Sequence, residues 1–251
     1  MDLADREAHP AVGPSSRLLV SLDDPACSDP GLAGSKAATL SFLASHGFPV
    51  PEGMVLTTHA FRDALAPLER PGVEAGGSLP LPPPVETALL RVIDLMGPGP
   101  LAVRSSSPAE DLAGSSFAGQ YETVLGVEGP EQLVEAVRRC WASVFSIRAV
   151  AYRERQEIDP AAMAVLIQRQ VPAEVAGVAF TADPVTGARD VTVIDAVAGL
   201  GERLVSGEAD PERWRVTPDG PERTTEGDAG LRPAQAQAVG ELAREVEALF
   251  A

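Results

Sequence analysis

Leu101-Ala-Val-Arg104-Ser-Ser-Ser107 sets a short apolar run against an arginine and then three small hydroxyl side chains. Leucine, alanine and valine in succession read as a buried strand, and the guanidinium ends it. A cation placed there needs an anionic or acidic partner. Two kinds of partner suit it: a phosphate, or one of the carboxylates that follow, Glu110 and Asp111. Further on, Ser115-Ser-Phe-Ala-Gly119-Gln120 is a small-residue stretch. It reads either as an ordinary turn or as a loop whose backbone can lie on phosphates.

Upstream stands a second cationic position. Of the 20 lysines and arginines in the chain, only Lys36 is a lysine. It follows Gly34 and Ser35 at the expected start of a helix running from Lys36 to His46, with Ser35 as its cap. The reading is that chemistry holds this lysine, because a compact ammonium is not replaced by a guanidinium at every site. A helix start offers backbone N–H groups and a positive dipole end to an anion.

Composition narrows the function classes. The chain has 251 residues, 45% apolar and 22% charged, with aromatics at 4%, so Leu, Val and Ala carry most of the packing. The net charge of −16 speaks against a nucleic-acid coat or a binder of anionic membranes. No apolar run is long enough for a spanning helix, and the charged N-terminus does not read as a secretory signal. Two distant cysteines, Cys27 and Cys140, form no disulfide framework, which makes the cytoplasm the default location. Three histidines share no metal-ligand spacing. Familiar signatures fail on inspection. Gly31-Leu-Ala-Gly-Ser-Lys36 lacks P-loop spacing, and Gly199-Leu-Gly201 lacks the third glycine of a dinucleotide fingerprint.

The pattern of elements is mixed. Strands are expected at Leu18–Leu22, Met54–Thr57 and Leu101–Arg104. Helices are expected from Pro84 to Met96 and from Pro130 to Arg153. In the second half, Met163–Val171, Ala176–Phe180 and Val191–Asp195 read as a small antiparallel sheet, and Trp214–Val216 as a further strand. A last helix runs from Pro233 to Phe250. The expected organisation is a flexible segment over residues 1–17, a lobe over 18–158 and a second lobe over 159–251.

Five co-linear stretches then resemble one group of proteins. They are Ala33-Gly-Ser-Lys-Ala-Ala-Thr-Leu40, Leu101-Ala-Val-Arg-Ser-Ser-Ser-Pro-Ala-Glu-Asp111, Ser116-Phe-Ala-Gly-Gln-Tyr-Glu-Thr123, Ala176-Gly-Val-Ala-Phe-Thr-Ala-Asp-Pro-Val-Thr-Gly187 and Gly199-Leu-Gly-Glu-Arg-Leu-Val-Ser-Gly207. Arg148-Ala-Val-Ala-Tyr-Arg153 also matches. Together they resemble the nucleotide-binding domain of the phosphoenolpyruvate synthase, pyruvate phosphate dikinase and rifampin phosphotransferase family, over roughly residues 18–216. The resemblance implies an α+β, ATP-grasp-like fold of two lobes with a nucleotide cleft between them.

It also implies roles. Lys36 matches the lysine that binds ATP phosphates, and Arg104 the phosphate-binding arginine; these two are the catalytic candidates. Gly119 matches the glycine loop over the phosphates, with Gln120 and Thr123 beside it. Gln168, Gln170 and Val171 match the strand near adenine, and Thr181 and Glu202 lie on motifs that line the nucleotide. ATP and Mg²⁺ are the implied cofactors. Where the family usually has glycines around its lysine, this sequence has Ser35 and Ala37. The family's acidic residue and Gln-x-Arg segment are expected just after the point where this sequence stops, so the metal ligands stay unassigned and the second lobe reads as incomplete. The family relays phosphate through a histidine domain with a Thr-Ser-His motif, and no such motif is present. The function implied is Mg-ATP binding for phosphoryl transfer, with a separate chain carrying the phosphohistidine and substrate domains. The alternative is a catalytically inactive nucleotide-binding or interaction module.

Overall fold

A computed structural model of the chain describes residues 17–67, 81–108, 122–145 and 162–251. The chain divides into two units, Met1–Gln170 and Val171–Ala251. Both contain helices and an antiparallel sheet, the α+β class expected from the sequence.

The first unit is built on a five-stranded sheet. Its strands are β1 (Leu19–Ser21), β2 (Gly53–Leu56), β3 (Leu101–Ser106), β4 (Thr123–Val127) and β5 (Ala164–Arg169), in the spatial order β1-β2-β5-β3-β4. Strand β5 is central, and Ala164 to Gln168 are all buried. This differs from the expectation that Met163–Val171 would join the sheet of the second half. The unbroken apolar run is the physical reason: a strand covered on both faces shows no alternation and needs a sheet interior.

Helices cover both faces. Helix α1 (Pro30–Ser45) lies on one face, over a core of Val20, Leu22, Cys27, Val55, Ala164 and Leu166. On the other face lie α2 (Thr58–Leu65), α3 (Pro83–Met96) and α4 (Gly129–Ser143). Helix α3 starts on prolines, which lack only an N–H that has no partner there, and buries Val85, Leu89, Val92 and Met96 at helical spacing. Gly97, at φ 67°, ends it. In α4 the same logic buries Leu133, Val137, Cys140 and Trp141. Phe61 meets Trp141 edge-on with ring centres 5.6 Å apart. The helix expected to reach Arg153 is described only as far as Ser143, and residues 146–161 lie outside the described residues.

The second unit has four strands, β6 (Val175–Phe180), β7 (Thr192–Ala198), β8 (Glu212–Thr217) and β9 (Gly220–Thr225), paired in sequence order. A one-turn helix, α5 (Glu202–Val205), follows β7. Helix α6 (Pro233–Leu249) covers one face over Ile194, Trp214, Val216 and Ala236. Gly240 permits that contact, since a Cβ there would come within 2.9 Å of Val216. Glu212 is fully buried and accepts three N–H groups: Trp214 Nε1 at 2.7 Å, Gly230 at 3.0 Å and Leu231 at 3.1 Å. It thereby fixes the loop that leads into α6. Strand β9 was not anticipated, because Gly-Pro-Glu-Arg-Thr-Thr is a polar, exposed edge with no apolar period.

Candidate functional site

The helix that carries Lys36 begins earlier than expected, at Pro30, with the Asp29 carboxylate accepting the Gly31 N–H at 2.8 Å. It is broken at Gly34, whose backbone (φ 77°, ψ 158°) is not helical. A fresh helical turn therefore starts at Ser35, and Lys36 sits in its first turn. The chain reaches this geometry because only glycine adopts such angles without strain.

That turn is docked on the end of β3. Ser35 donates its N–H to the Ser107 carbonyl and its hydroxyl to the Pro108 carbonyl, each at 3.1 Å. Ala37 donates its N–H to the Ser106 hydroxyl at 3.1 Å. Lys36 Nζ donates to the Ser105 carbonyl at 2.7 Å. The N–H groups of Ser35 and Ala37 are thus spent on the strand. Read locally, a helix start offers these amides to an anion. At these two positions the structure corrects that reading, since both amides already have acceptors.

Arg104 lies one residue before the carbonyl that holds Lys36. Register places its side chain. Arg104 pairs with Leu166 of β5, which packs under α1, so both project from the α1 face of the sheet. Thr123 pairs with Arg104 from the other side and shares that face. Gln168 stands opposite Ala102, two residues along, and belongs to the face too. Its Oε1 accepts from the Arg104 guanidinium at 3.4 Å, and its Nε2 donates to the Pro51 carbonyl at 3.1 Å. Gln168 is only 4% exposed, so it acts as a fixed prop for the arginine. The carboxylates first weighed as partners of Arg104, Glu110 and Asp111, lie outside the described residues. Glu122, nearby on the chain, is paired with Arg139.

Lys36, Arg104, Gln168 and Thr123 are therefore brought to one face of the first sheet. Gln170 lies just past β5, its N–H on the Pro100 carbonyl and its Oε1 accepting from Gly126 N–H at 2.6 Å. Val171 follows it and is exposed. Gly119 and Gln120 lie outside the described residues. Thr181 and Glu202 belong to the second unit. Thr181 follows β6 and borders an apolar groove against α6 formed with Ala179, Leu242 and Val246. Glu202 opens α5 and is exposed. The loop after Thr181 is held by Asp183. Its carboxylate accepts the N–H of Val185 at 2.9 Å and of Thr186 at 3.2 Å and pairs with Arg215 at 2.9 Å. Those amides, with Arg215, hold Asp183 below the usual carboxylate range. Cys140, behind β3, is a buried thiol; burial and then Glu122 push it up to about 12.

Ser105, Ser106 and Gly34 had no assigned role in the sequence reading. Their signals are the serine run and, 69 residues away, the single lysine motif, and nothing local connects the two. Among the described residues no cluster of three or more His, Cys, Asp or Glu side chains converges. No ligand set for Mg²⁺ is assigned there.

The geometry brings the Lys36 ammonium, held by the Ser105 carbonyl, and the Arg104 guanidinium, held by Gln168, to one face of the sheet. Residues 76–241 match the family model described as pyruvate phosphate dikinase, AMP/ATP-binding domain. The chain belongs to this family. It is similar to a rifampicin phosphotransferase of Streptomyces sp, 41% identical over 79% of this chain and 26% of the relative. A phosphoenolpyruvate synthase of Aeropyrum pernix is 36% identical over 80% of this chain and 28% of its own length. A prodigiosin synthesizing transferase of Serratia marcescens is 39% identical over 76% of this chain and 23% of its own length. The chain thus spans about a quarter of the length of the curated relatives it matches. The resemblance first read from motifs is the one the family model gives, and the chain is an ATP-binding domain of the phosphoenolpyruvate synthase and dikinase type.

Proposed function

We propose that this chain binds Mg-ATP and presents it for phosphoryl transfer, with the phosphohistidine and substrate domains supplied from outside the described residues. The observation that carries the reading is the docking of the Lys36 turn on β3 next to Arg104, within a family defined by AMP and ATP binding. Two positive groups fixed by buried neighbours meet the charge of a polyphosphate without reorganising when the reaction occurs. Phosphoryl transfer asks mainly for such positioning and neutralisation.

In this reading Lys36 and Arg104 hold phosphate oxygens, and Gln168 orients Arg104. Thr123 adds a hydroxyl on the same face. Gly119 and Gln120 are assigned to the loop over the phosphates, Gln170 and Val171 to the adenine side, and Thr181 and Glu202 to the nucleotide-lining motifs of the second unit. Mg²⁺, when bound, supplies further neutralisation of phosphate charge. The relatives' names point to different acceptors. No helix among the described residues is long and apolar enough to cross a membrane. We place the domain in the cytoplasm, where its two buried cysteines would stay reduced.

The test is calorimetric titration of the chain with ATP and Mg²⁺, beside Lys36→Ala and Gln168→Ala. The expected result is saturable binding that Lys36→Ala abolishes and Gln168→Ala weakens. Absence of both heat and thermal stabilisation from micromolar to millimolar ATP would overturn the reading, as would binding indifferent to Lys36.

A further inference from the structure

The helical turn that bears Lys36 has no cap of its own. Gly34 stands at the N-cap position and has no side chain to offer. The group that does the capping comes from 69 residues away: Ser106 Oγ accepts the N–H of Ala37, the third residue after the break. An N-cap side chain bonds the amide two or three residues on, and Ser106 makes that bond in trans. It is fully buried, and its backbone is pressed against Gly34, where any Cβ would lie 2.1 Å from its carbonyl oxygen. Beside it, Ser35 ties the same turn to the Pro108 carbonyl through its hydroxyl. A glycine at position 35 could not make this bond.

We propose that Ser106, assisted by Ser35, is a positioning residue for Lys36. The two hydroxyls fix the turn on the end of β3 and so decide where the ammonium meets a nucleotide's phosphates. This inference rests on the reading of Lys36 as a phosphate-binding group. The hydroxyls act through the direction of one side chain, and the lysine's bond to the Ser105 carbonyl completes a grip shared by three consecutive serines, Ser105 to Ser107.

The single lysine makes the test direct. Incorporating ¹³C-lysine gives one side-chain NMR signal, that of Lys36, to be followed without nucleotide and during titration with Mg-ATP. The comparison set is Ser106→Ala, Ser35→Ala and Ser41→Ala. Ser41 lies on the same helix and donates to the Leu22 carbonyl at 2.6 Å, away from the lysine turn. Ser41→Ala therefore controls for lost stability. In Ser106→Ala the ligand-free Lys36 signal should shift and sharpen toward that of a mobile lysine, and ATP affinity should fall about fivefold, the value of one lost cap. Ser35→Ala should move the signal in the same direction by less, and it provides the reading if Ser106→Ala does not fold. Ser41→Ala should lower the melting temperature with signal and affinity unchanged.

Unmoved Lys36 signals in both Ser106→Ala and Ser35→Ala would overturn the proposal, and so would an equal change in Ser41→Ala. The failure of the nucleotide reading looks different: the parent signal would not respond to Mg-ATP at all, while the ligand-free signals would still report whether the hydroxyls place the lysine.

Discussion

Replacing Gly34 by alanine strikes the point where the lysine helix and the central sheet come closest. Two independent costs follow from the structure. The backbone at φ 77° and ψ 158° lies in a region that side chains avoid, which costs about 1 to 3 kcal/mol. The new Cβ would also lie 2.1 Å from the Ser106 carbonyl oxygen and 2.4 Å from its carbon, so backbone must move. Forced overpacking of this kind costs about 1 to 3 kcal/mol. Together that is about 2 to 6 kcal/mol, a large share of the roughly 5 to 15 kcal/mol that holds a domain folded. The chain offers a clean assay, because its two tryptophans fall in different units, Trp141 in the first and Trp214 in the second. In a Trp214→Phe background, fluorescence reports the first unit alone. Urea unfolding should show a lower midpoint for Gly34→Ala with an unchanged slope. A difference under about 0.5 kcal/mol, the usual effect of a neutral surface change, would refute the argument that this glycine is required by close approach and backbone angle.

Glu212→Gln should destabilise the second unit by about 1 to 3 kcal/mol, since an amide returns a donor to a buried pocket that already supplies three. Trp214 fluorescence in a Trp141→Phe background reads it, and a midpoint equal to the parent's would count against the anchoring role. Burial pushes the Cys27 thiol up to about 11 and the Cys140 thiol up to about 12, both from 9.0. A raised thiol value favours the protonated form in the folded state, so the stability it contributes is complete below about pH 9 and is lost as pH rises through 11 to 12. Native protein at pH 8 should accordingly resist an aromatic disulfide reagent that modifies both thiols at once in denaturant, and Cys→Ser variants should shift the alkaline unfolding limb; rapid native labelling would contradict the burial.

Legibility divides along a physical line. Local pattern was sufficient wherever the chain speaks to itself over a few residues. The spacing of Leu133, Val137, Cys140 and Trp141 sets a helix face, and the prolines opening α3 with Gly97 closing it set that helix's ends. Motif order was sufficient for the family. The helix start at Lys36 was read almost correctly for a reason that the sequence states only in part: Gly34 breaks a longer helix, and a new one begins after it.

What the sequence by itself determined is therefore the inventory: an acidic α+β chain, a single lysine, an apolar strand that carries an arginine, and their order; the strand expected to end at Arg104 runs on to Ser106. Tertiary structure alone decided the pairings. It put β5 at the centre of the first sheet, between β2 and β3, the nearer of which ends 58 residues before it in the chain (Ser106 to Ala164), because the apolar run Ala164–Ile167 is stable only when both faces are covered. It also decided which anion-seeking groups remain at the site. The amides of Ser35 and Ala37, open in any local reading, are consumed by Ser107 and Ser106, and the ammonium is steered by a carbonyl 69 residues distant. A hydrogen-bond donor near an unpaired carbonyl has no sequence signature. Which donor finds which acceptor is fixed only when helix and strand are packed together and every buried polar group must be met.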